Sequence, residues 1–131
     1  MAEHLKQEDI DFEIAFYNGL IEKNPHFAEA LAALGDLYTK AGMYKEGLIM
    51  DERLVQLKPD DPVVWYNLAC SYSLLREIEK ALRAFKKAIN CGYCDFNHLE
   101  QDSDLDNLRQ DRRFQQYFAR VKSRKPSVSE E

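Results

Sequence analysis

Cysteine, glycine, proline and long apolar runs are all scarce in this 131-residue sequence, and the scarcity of cysteine and of apolar runs each excludes a class of protein. Three cysteines make no disulfide framework and are typical of a reducing compartment, so we expect a cytoplasmic protein. The longest run without a charged residue, 62–75, is too short to cross a bilayer, and we predict no membrane span. With 18 basic and 23 acidic residues, the composition gives no reason to expect nucleic-acid binding.

Apolar residues at helical spacing are abundant. A hydrophobic content of 45% and an aromatic content of 11% exclude disorder for most of the chain. Apolar positions recur every three or four residues, as in Ile10, Ile14, Tyr17 and Ile21, and no segment alternates as a strand does. We therefore predict an all-α protein. Its expected helices cover residues 8–23, 27–40, 44–57, 61–75, 78–91, 96–101 and 112–122.

These helices repeat with a period of 34 residues. Chance could align one or two apolar pairs at a fixed shift, but not a whole set in one register. The pairs that this shift superimposes include Leu31 and Trp65, Leu34 and Leu68, Gly35 and Ala69, and Tyr38 and Tyr72. A period of this length built from two helices is that of a helical solenoid.

Two stretches, 31–59 and 65–89, resemble tetratricopeptide repeats (TPR). The residues that carry the resemblance are Leu31, Leu34, Gly35, Tyr38, Gly47, Leu54 and Pro59 in the first stretch, and Trp65, Leu68, Ala69, Tyr72, Ala81, Phe85 and Ala88 in the second. The first stretch departs from the family pattern at Asp51, where the family prefers Phe. The resemblance implies a right-handed α-α superhelix, the TPR solenoid, made of antiparallel helix pairs.

The repeat also predicts how the chain is divided. We expect a single TPR-like helical domain over residues 1–123, followed by a flexible tail at 124–131. The last unit follows the pattern only with a shift of 36 residues, as suits a degenerate terminal unit. The expected parts are a lone N-terminal helix at 8–24, repeat one at 28–61, repeat two at 62–95 and a capping unit at 96–122.

A second stripe on the first helix of each repeat is predicted to bind a partner. In tetratricopeptide proteins these positions line the concave groove, and the resemblance implies the same here. The candidates are Glu29, Ala32, Asp36, Thr39, Val63, Tyr66, Cys70 and Ser73. Tyr66 is the expected anchor because it combines apolar area with a polar tip. The alternative is that Tyr66 and Cys70 pack against a neighbouring helix.

The predicted function is that of a non-catalytic scaffold or adaptor that binds a protein or peptide ligand. Some family members hold the C-terminal carboxylate of chaperones with a clamp of Lys, Asn and Arg. Here the cation positions carry Ala32 and Val63, Asp36 replaces an Asn, and Asn67 alone matches. We therefore expect no chaperone tail, and Asp36 favours a neutral or basic ligand.

Self-assembly into a homo-oligomer is a second possible function. The exposed side of the first helix is expected to carry an apolar surface made by Phe12, Phe16 and Phe27, which another copy could cover. Residues 1–61 hold 6 basic and 13 acidic residues, a balance of −7, whereas residues 62–131 hold 12 and 10, a balance of +2. Such a polarised molecule could associate head to tail or orient a charged partner, although the favoured explanation is that these charges form solvated helix faces and a soluble tail.

A thiol redox or zinc role is the third possibility. Cys91 and Cys94 have the C-x-x-C spacing of oxidoreductases and, with His98, supply three possible zinc ligands. Their expected place at a helix C-terminus opposes formation of a thiolate. The aspartate-rich segment 102–106 lacks the Gly and Glu of a calcium loop, and Asp104 is expected to cap a helix instead. We predict no catalytic residue, metal or cofactor.

Overall fold

The computed structural model describes the backbone of residues 2–129 and the side chains of residues 6–124. Over that range the chain is helical and contains no strand, so the predicted all-α class is confirmed. The helices are α1 (Ala2–Lys23), α2 (Ala28–Lys40), α3 (Tyr44–Leu57), α4 (Pro62–Leu74), α5 (Ile78–Asn90), α6 (Phe96–Gln101), α7 (Asp106–Arg109) and α8 (Arg112–Ser129), with a 3₁₀ turn at Ser103–Leu105. None of these described helices is long and apolar enough to span a membrane.

Two antiparallel hairpins form the centre of the molecule. Helix α2 pairs with α3, α4 pairs with α5, and α3 packs against α4. The two hairpin turns have the same geometry, because Gly42 and Arg76, 34 residues apart, both have a left-handed backbone with φ of 79° and 62°. In each turn the next N–H donates to a tyrosine carbonyl five residues back, at 2.8 and 2.9 Å. This helix-ending motif returns the chain antiparallel and produces the predicted superhelix.

Helix α4 carries much of the concave surface, and its start is set by local sequence. The carboxylate of Asp61 accepts from the backbone N–H of Val63 at 2.9 Å, which satisfies a free donor of the first turn. Pro62 follows at the first helical position, where its missing N–H costs nothing. The start of α4 is therefore fixed at Asp61 and Pro62.

Two glycines allow α2 and α3 to approach closely. A Cβ atom on Gly47 would lie 3.0 Å from Thr39 Oγ1 and 3.3 Å from the carbonyl oxygen of Gly35. A Cβ atom on Gly35 would lie 3.1 Å from Asp51 Oδ1. Both distances leave no room for a larger side chain, so this helix crossing depends on the two small residues.

Substituting Gly47→Leu should lower the free energy of unfolding by about 3 kcal/mol, because the leucine must displace the backbone of α2. The matched control is Gly19→Ala in α1, where a Cβ atom would meet nothing within 4 Å. That change should raise stability by about 0.5–1 kcal/mol through helix propensity alone. Urea titrations of both variants measure the difference, and equal midpoints would contradict the close crossing.

The capping unit closes the hydrophobic core at one end. Phe85 of α5 is fully buried, and its ring centroid lies 4.8 Å from that of Phe114. Tyr117 and Phe118 meet the same ring edge-on at 6.1 and 6.2 Å. These rings come from α8, so the last helix completes the core of the second hairpin.

The structure differs from the sequence prediction mainly near the termini of the chain. Helix α1 begins at Ala2 and not at residue 8, and the backbone of α8 is helical to Ser129, through most of the segment predicted as a tail. Residues 130 and 131 of that segment lie outside the described residues. The expected cap at Asp104 is wrong: Asp102 accepts from the backbone N–H of Asp104 at 3.0 Å and begins the 3₁₀ turn.

Candidate functional site

The concave side of the hairpins holds a cleft of about 250 Å³. Helices α2 and α4 form its walls, α3 contributes its floor, and α6 with the following turn closes one end. The residues that line it are Ala32, Gly35, Asp36, Thr39, Asp51, Leu54, Tyr66, Asn67, Cys70, Ser71, Leu74, His98, Asp102 and Asp104.

The structure brings together part of the predicted stripe. The predicted residues that line the cleft are Ala32, Asp36, Thr39, Tyr66 and Cys70. Glu29 and Val63 lie outside its lining. Ser73 is fully buried, and its Oγ accepts from the backbone N–H of Leu108 at 3.0 Å. Ser73 therefore holds α7 in place and offers no surface to a partner.

Tyr66 is a structural residue at the inner end of the cleft. It is only 3% exposed, and its ring stacks on that of Tyr93 with 4.4 Å between centroids. Its hydroxyl donates to Asp102 Oδ2 at 2.6 Å. Tyr66 therefore fits the alternative interpretation, in which it packs against neighbouring structure, better than the interpretation in which it is an exposed anchor for a partner. Removing the ring would disrupt the fold as well as the cleft.

Asp102 joins the second hairpin to the capping unit. Its Oδ2 accepts from Tyr66, lies 3.3 Å from His98 Nε2, and accepts weakly from Cys70 Sγ at 3.7 Å. Burial, followed by the charges of Asp102 and Asp104, raises the pKa of the Cys70 thiol well above its usual value. Cys70 is consequently held as an unreactive thiol. The stripe predicted from the sequence does not include Asp102, because Asp102 lies outside the 34-residue repeat register.

Carboxylates converge on the cleft from several elements. The Asp36 side chain on α2 is 64% exposed, and its contact with Lys40, 3.1 Å away, is an exposed ion pair that contributes little. The pKa of Asp51 is raised to about 6, chiefly by burial and also by the charge of Asp36, whereas a hydrogen bond from Ser71 at 2.5 Å acts to lower it. Burial and then neighbouring carboxylates, Asp36 among them, also raise the pKa of Asp104. A cation in the cleft would relieve this repulsion.

The C-x-x-C segment lies at the end of α5, away from the cleft lining. Cys91 caps that helix at its C-terminus, as predicted, and Gly92 follows with φ of 111°. Cys70, Cys91 and Cys94 are all free thiols. In the part of the chain that the structure describes, no group of three or more His, Cys, Asp or Glu side chains is placed to hold a metal ion.

The fold and the cleft define an all-α solenoid of antiparallel hairpins with a concave surface. Residues 62–91, which form the second hairpin, match the family model of the tetratricopeptide repeat. These residues therefore form a tetratricopeptide repeat, as the resemblance predicted for this stretch. The first hairpin has the same architecture but lies outside the matched segment.

Among curated proteins, the chain is similar to a chloroplastic protein from Arabidopsis thaliana, with 36% identity over 80 residues and 59% of this chain covered. The chain spans 24% of the length of that relative. Among solved structures, a MamA fragment from Desulfovibrio magneticus RS-1 matches with a TM-score of 0.70 and 20% identity, covering 94% of this chain and 70% of that one. A further MamA structure matches at 0.65 and 20% identity, covering 81% and 66%. These structural matches show the shared fold.

Proposed function

We propose that this protein is a non-catalytic interaction scaffold whose concave cleft binds a peptide segment of a partner protein that carries a basic side chain. The convergence of carboxylates on a concave surface is the observation that supports it most. Asp36 comes to the cleft from α2, and Asp104 comes from the turn that follows α6. Repeat solenoids of this kind use their concave faces for binding.

The chemistry of the lining favours a cationic side chain over a neutral one. Asp51 and Asp104 are both destabilised in their charged forms by burial and by nearby carboxylates. A lysine or arginine side chain would bring the opposite charge within reach of each, and hydrogen bonds to charged groups are the stronger ones. Ala32 and Leu74 add apolar surface for the aliphatic part of such a side chain.

A polar amide at the cleft suits a peptide backbone. Asn67 is exposed on α4 and can both donate to and accept from an amide. A free carboxylate is disfavoured, because the exposed carboxylate of Asp36 on the cleft wall would repel it. The proposal therefore retains the expectation that chaperone tails do not bind.

Neutralising two carboxylates of the cleft should weaken the binding of basic peptides. In the double variant Asp36→Asn and Asp104→Asn, we expect affinity for peptides selected on the wild type to fall about tenfold or more, because two ion pairs are lost. The measurement is fluorescence anisotropy with peptides selected from an array of random sequences. The selected peptides should be enriched in lysine and arginine.

The matched control is Asp11→Asn with Asp60→Asn, which changes net charge equally at two exposed sites outside the cleft. This control should bind as the wild type does, and both double variants should keep the wild-type circular dichroism. The proposal fails if the array selects peptides without basic residues, or if both double variants lose affinity equally.

The compartment remains a separate prediction. The small number of cysteines favours a reducing environment such as the cytoplasm. The Arabidopsis relative is named as a chloroplastic protein, which supports a plastid as the alternative for this chain.

A further inference from the structure

Helix α1 presents an exposed stripe of alternating apolar and acidic residues. Phe12 and Phe16 are 72% and 54% exposed, and Asp9 and Glu13 are exposed beside them. The spacing of these four residues, i, i+3, i+4 and i+7, places them on one face of the helix. Phe27, by contrast, is partly buried against the core. The predicted apolar surface is thus confined to this stripe, here called the α1 stripe.

A hollow of complementary chemistry lies between α4 and α5. Its volume is about 400 Å³, and its lining residues are Trp65, Leu68, Tyr72, Lys80, Arg83, Ala84 and Lys87. The amine of Lys80 lies 5.9 Å from the ring centre of Tyr72, and that of Lys87 lies 5.7 Å from the ring centre of Trp65. The hollow therefore combines an aromatic floor with cations held over its rings.

From this complementarity we infer that the α1 stripe of one copy docks in the α4–α5 hollow of a second copy. Phe12 and Phe16 pack on Trp65 and Tyr72, while acidic residues of the stripe face the lysines. The lengths agree: Asp9 to Phe16, Trp65 to Tyr72 and Lys80 to Lys87 are each seven residues, or about 10 Å of helix.

The occupant must be a second copy because of where the two surfaces lie. Helix α1 packs against α2 at one end of the array, and the hollow lies on the hairpin beyond α3. In this contact the acidic half of one copy meets the basic half of its neighbour. Residues 1–61 carry a net charge of −7, and residues 62–131 carry a net charge of +2. Two different surfaces are used, so each copy can bind two others and the assembly grows head to tail, as an open chain or a closed ring.

The test is sedimentation velocity of the full chain over a concentration series. The wild type should show an average sedimentation coefficient that increases with concentration and decreases at high salt, because the contact is partly ionic. A stripe variant, Phe12→Ala with Phe16→Ala, and a hollow variant, Lys80→Glu with Lys87→Glu, should each weaken self-association about tenfold or more.

Mixing the two variants provides the decisive measurement. The stripe variant retains an intact hollow and the hollow variant retains an intact stripe, so an equimolar mixture should form a one-to-one dimer that does not grow further. A charge-matched control, Lys45→Glu with Lys58→Glu, changes two exposed lysines elsewhere and should associate as the wild type does. Circular dichroism confirms that each variant is folded.

The inference is overturned by a wild type that remains monomeric throughout the series, by a mixture that shows no dimer, or by a control that loses association equally. None of these variants alters the cleft lining, so the result does not depend on whether the cleft binds basic peptides.

Discussion

Phe85→Ala should lower the free energy of unfolding by about 3–5 kcal/mol, the largest effect expected of any single substitution considered for this protein. The ring is fully buried and meets three aromatic rings of α8. Truncation to Ala leaves a cavity that the surrounding helices cannot fill. The reason is that α5 is restrained by its pairing with α4, and α8 by the segment that connects it to α5. Chemical denaturation followed by circular dichroism measures the change.

Phe12→Ala serves as the control for this prediction because it removes the same ring from a 72% exposed site. Its effect on unfolding should stay within about 0.5 kcal/mol when measured at concentrations that keep the protein monomeric. If Phe85→Ala is no more destabilising than Phe12→Ala, the capping unit does not share a core with the second hairpin.

Asp51→Asn should stabilise the protein at neutral pH. Asp51 has a pKa of about 6 in the folded protein against a usual 3.8, because burial disfavours its charge. A difference of this size corresponds to about 3 kcal/mol of unfavourable free energy once pH exceeds both values. Asparagine has nearly the same shape, can accept from Ser71, and carries no charge. Above pH 7 the variant should therefore gain up to about 3 kcal/mol.

The sign of this effect depends on pH. A carboxyl whose pKa is raised on folding binds its proton more tightly in the folded state, so its contribution to stability is present below pH 3.8 and is lost as pH rises to about 6. The advantage of the Asp51→Asn variant should therefore disappear near pH 4, and Asp60→Asn, an exposed control, should show no such profile. Equal gains at pH 4 and pH 8 would contradict a raised pKa of Asp51 in the folded protein.

Asp51 sets stability against binding at this site if the proposed function is correct. The family pattern places Phe there, and a carboxylate beneath the cleft costs folding free energy. If the cleft binds basic side chains, Asp51→Asn should weaken that binding while it raises the melting temperature. Active and binding sites commonly retain such unfavourable groups.

The main helices could be predicted from the sequence because the 34-residue period combines many weak signals. Predicted bounds of α3 and α6 agree with the structure, and those of α2, α4 and α5 differ by at most one residue at each end. Helix α7 was missed because four residues are too few to show periodicity. It is held by long-range contacts, in which Asn107 donates to the Ser73 carbonyl at 2.9 Å and Leu108 donates to Ser73 Oγ.

The cleft could be predicted only in part. Ala32, Asp36 and Thr39 follow from the repeat stripe because α2 keeps that face open to the cleft. The same stripe on α4 was misleading, since the capping unit folds back and buries Tyr66 and Ser73. His98, Asp102 and Asp104 belong to a unit outside the register, so no spacing rule could place them at the cleft. The aspartate-rich composition of 102–106 was the available signal, and it was interpreted only as a cap.

The way α1 is attached has a consequence for how the protein opens. Helix α1 packs mainly against α2, whereas α4, α5, α7 and α8 are joined by shared rings and hydrogen bonds. Amide hydrogens of α1 should therefore exchange at the lowest opening free energy, while the other end stays protected. Since the α1 stripe is also the proposed contact with a second copy, association would hold this helix closed. The protection of the α1 amide hydrogens against exchange would then increase with protein concentration. Exchange in α1 would therefore measure self-association.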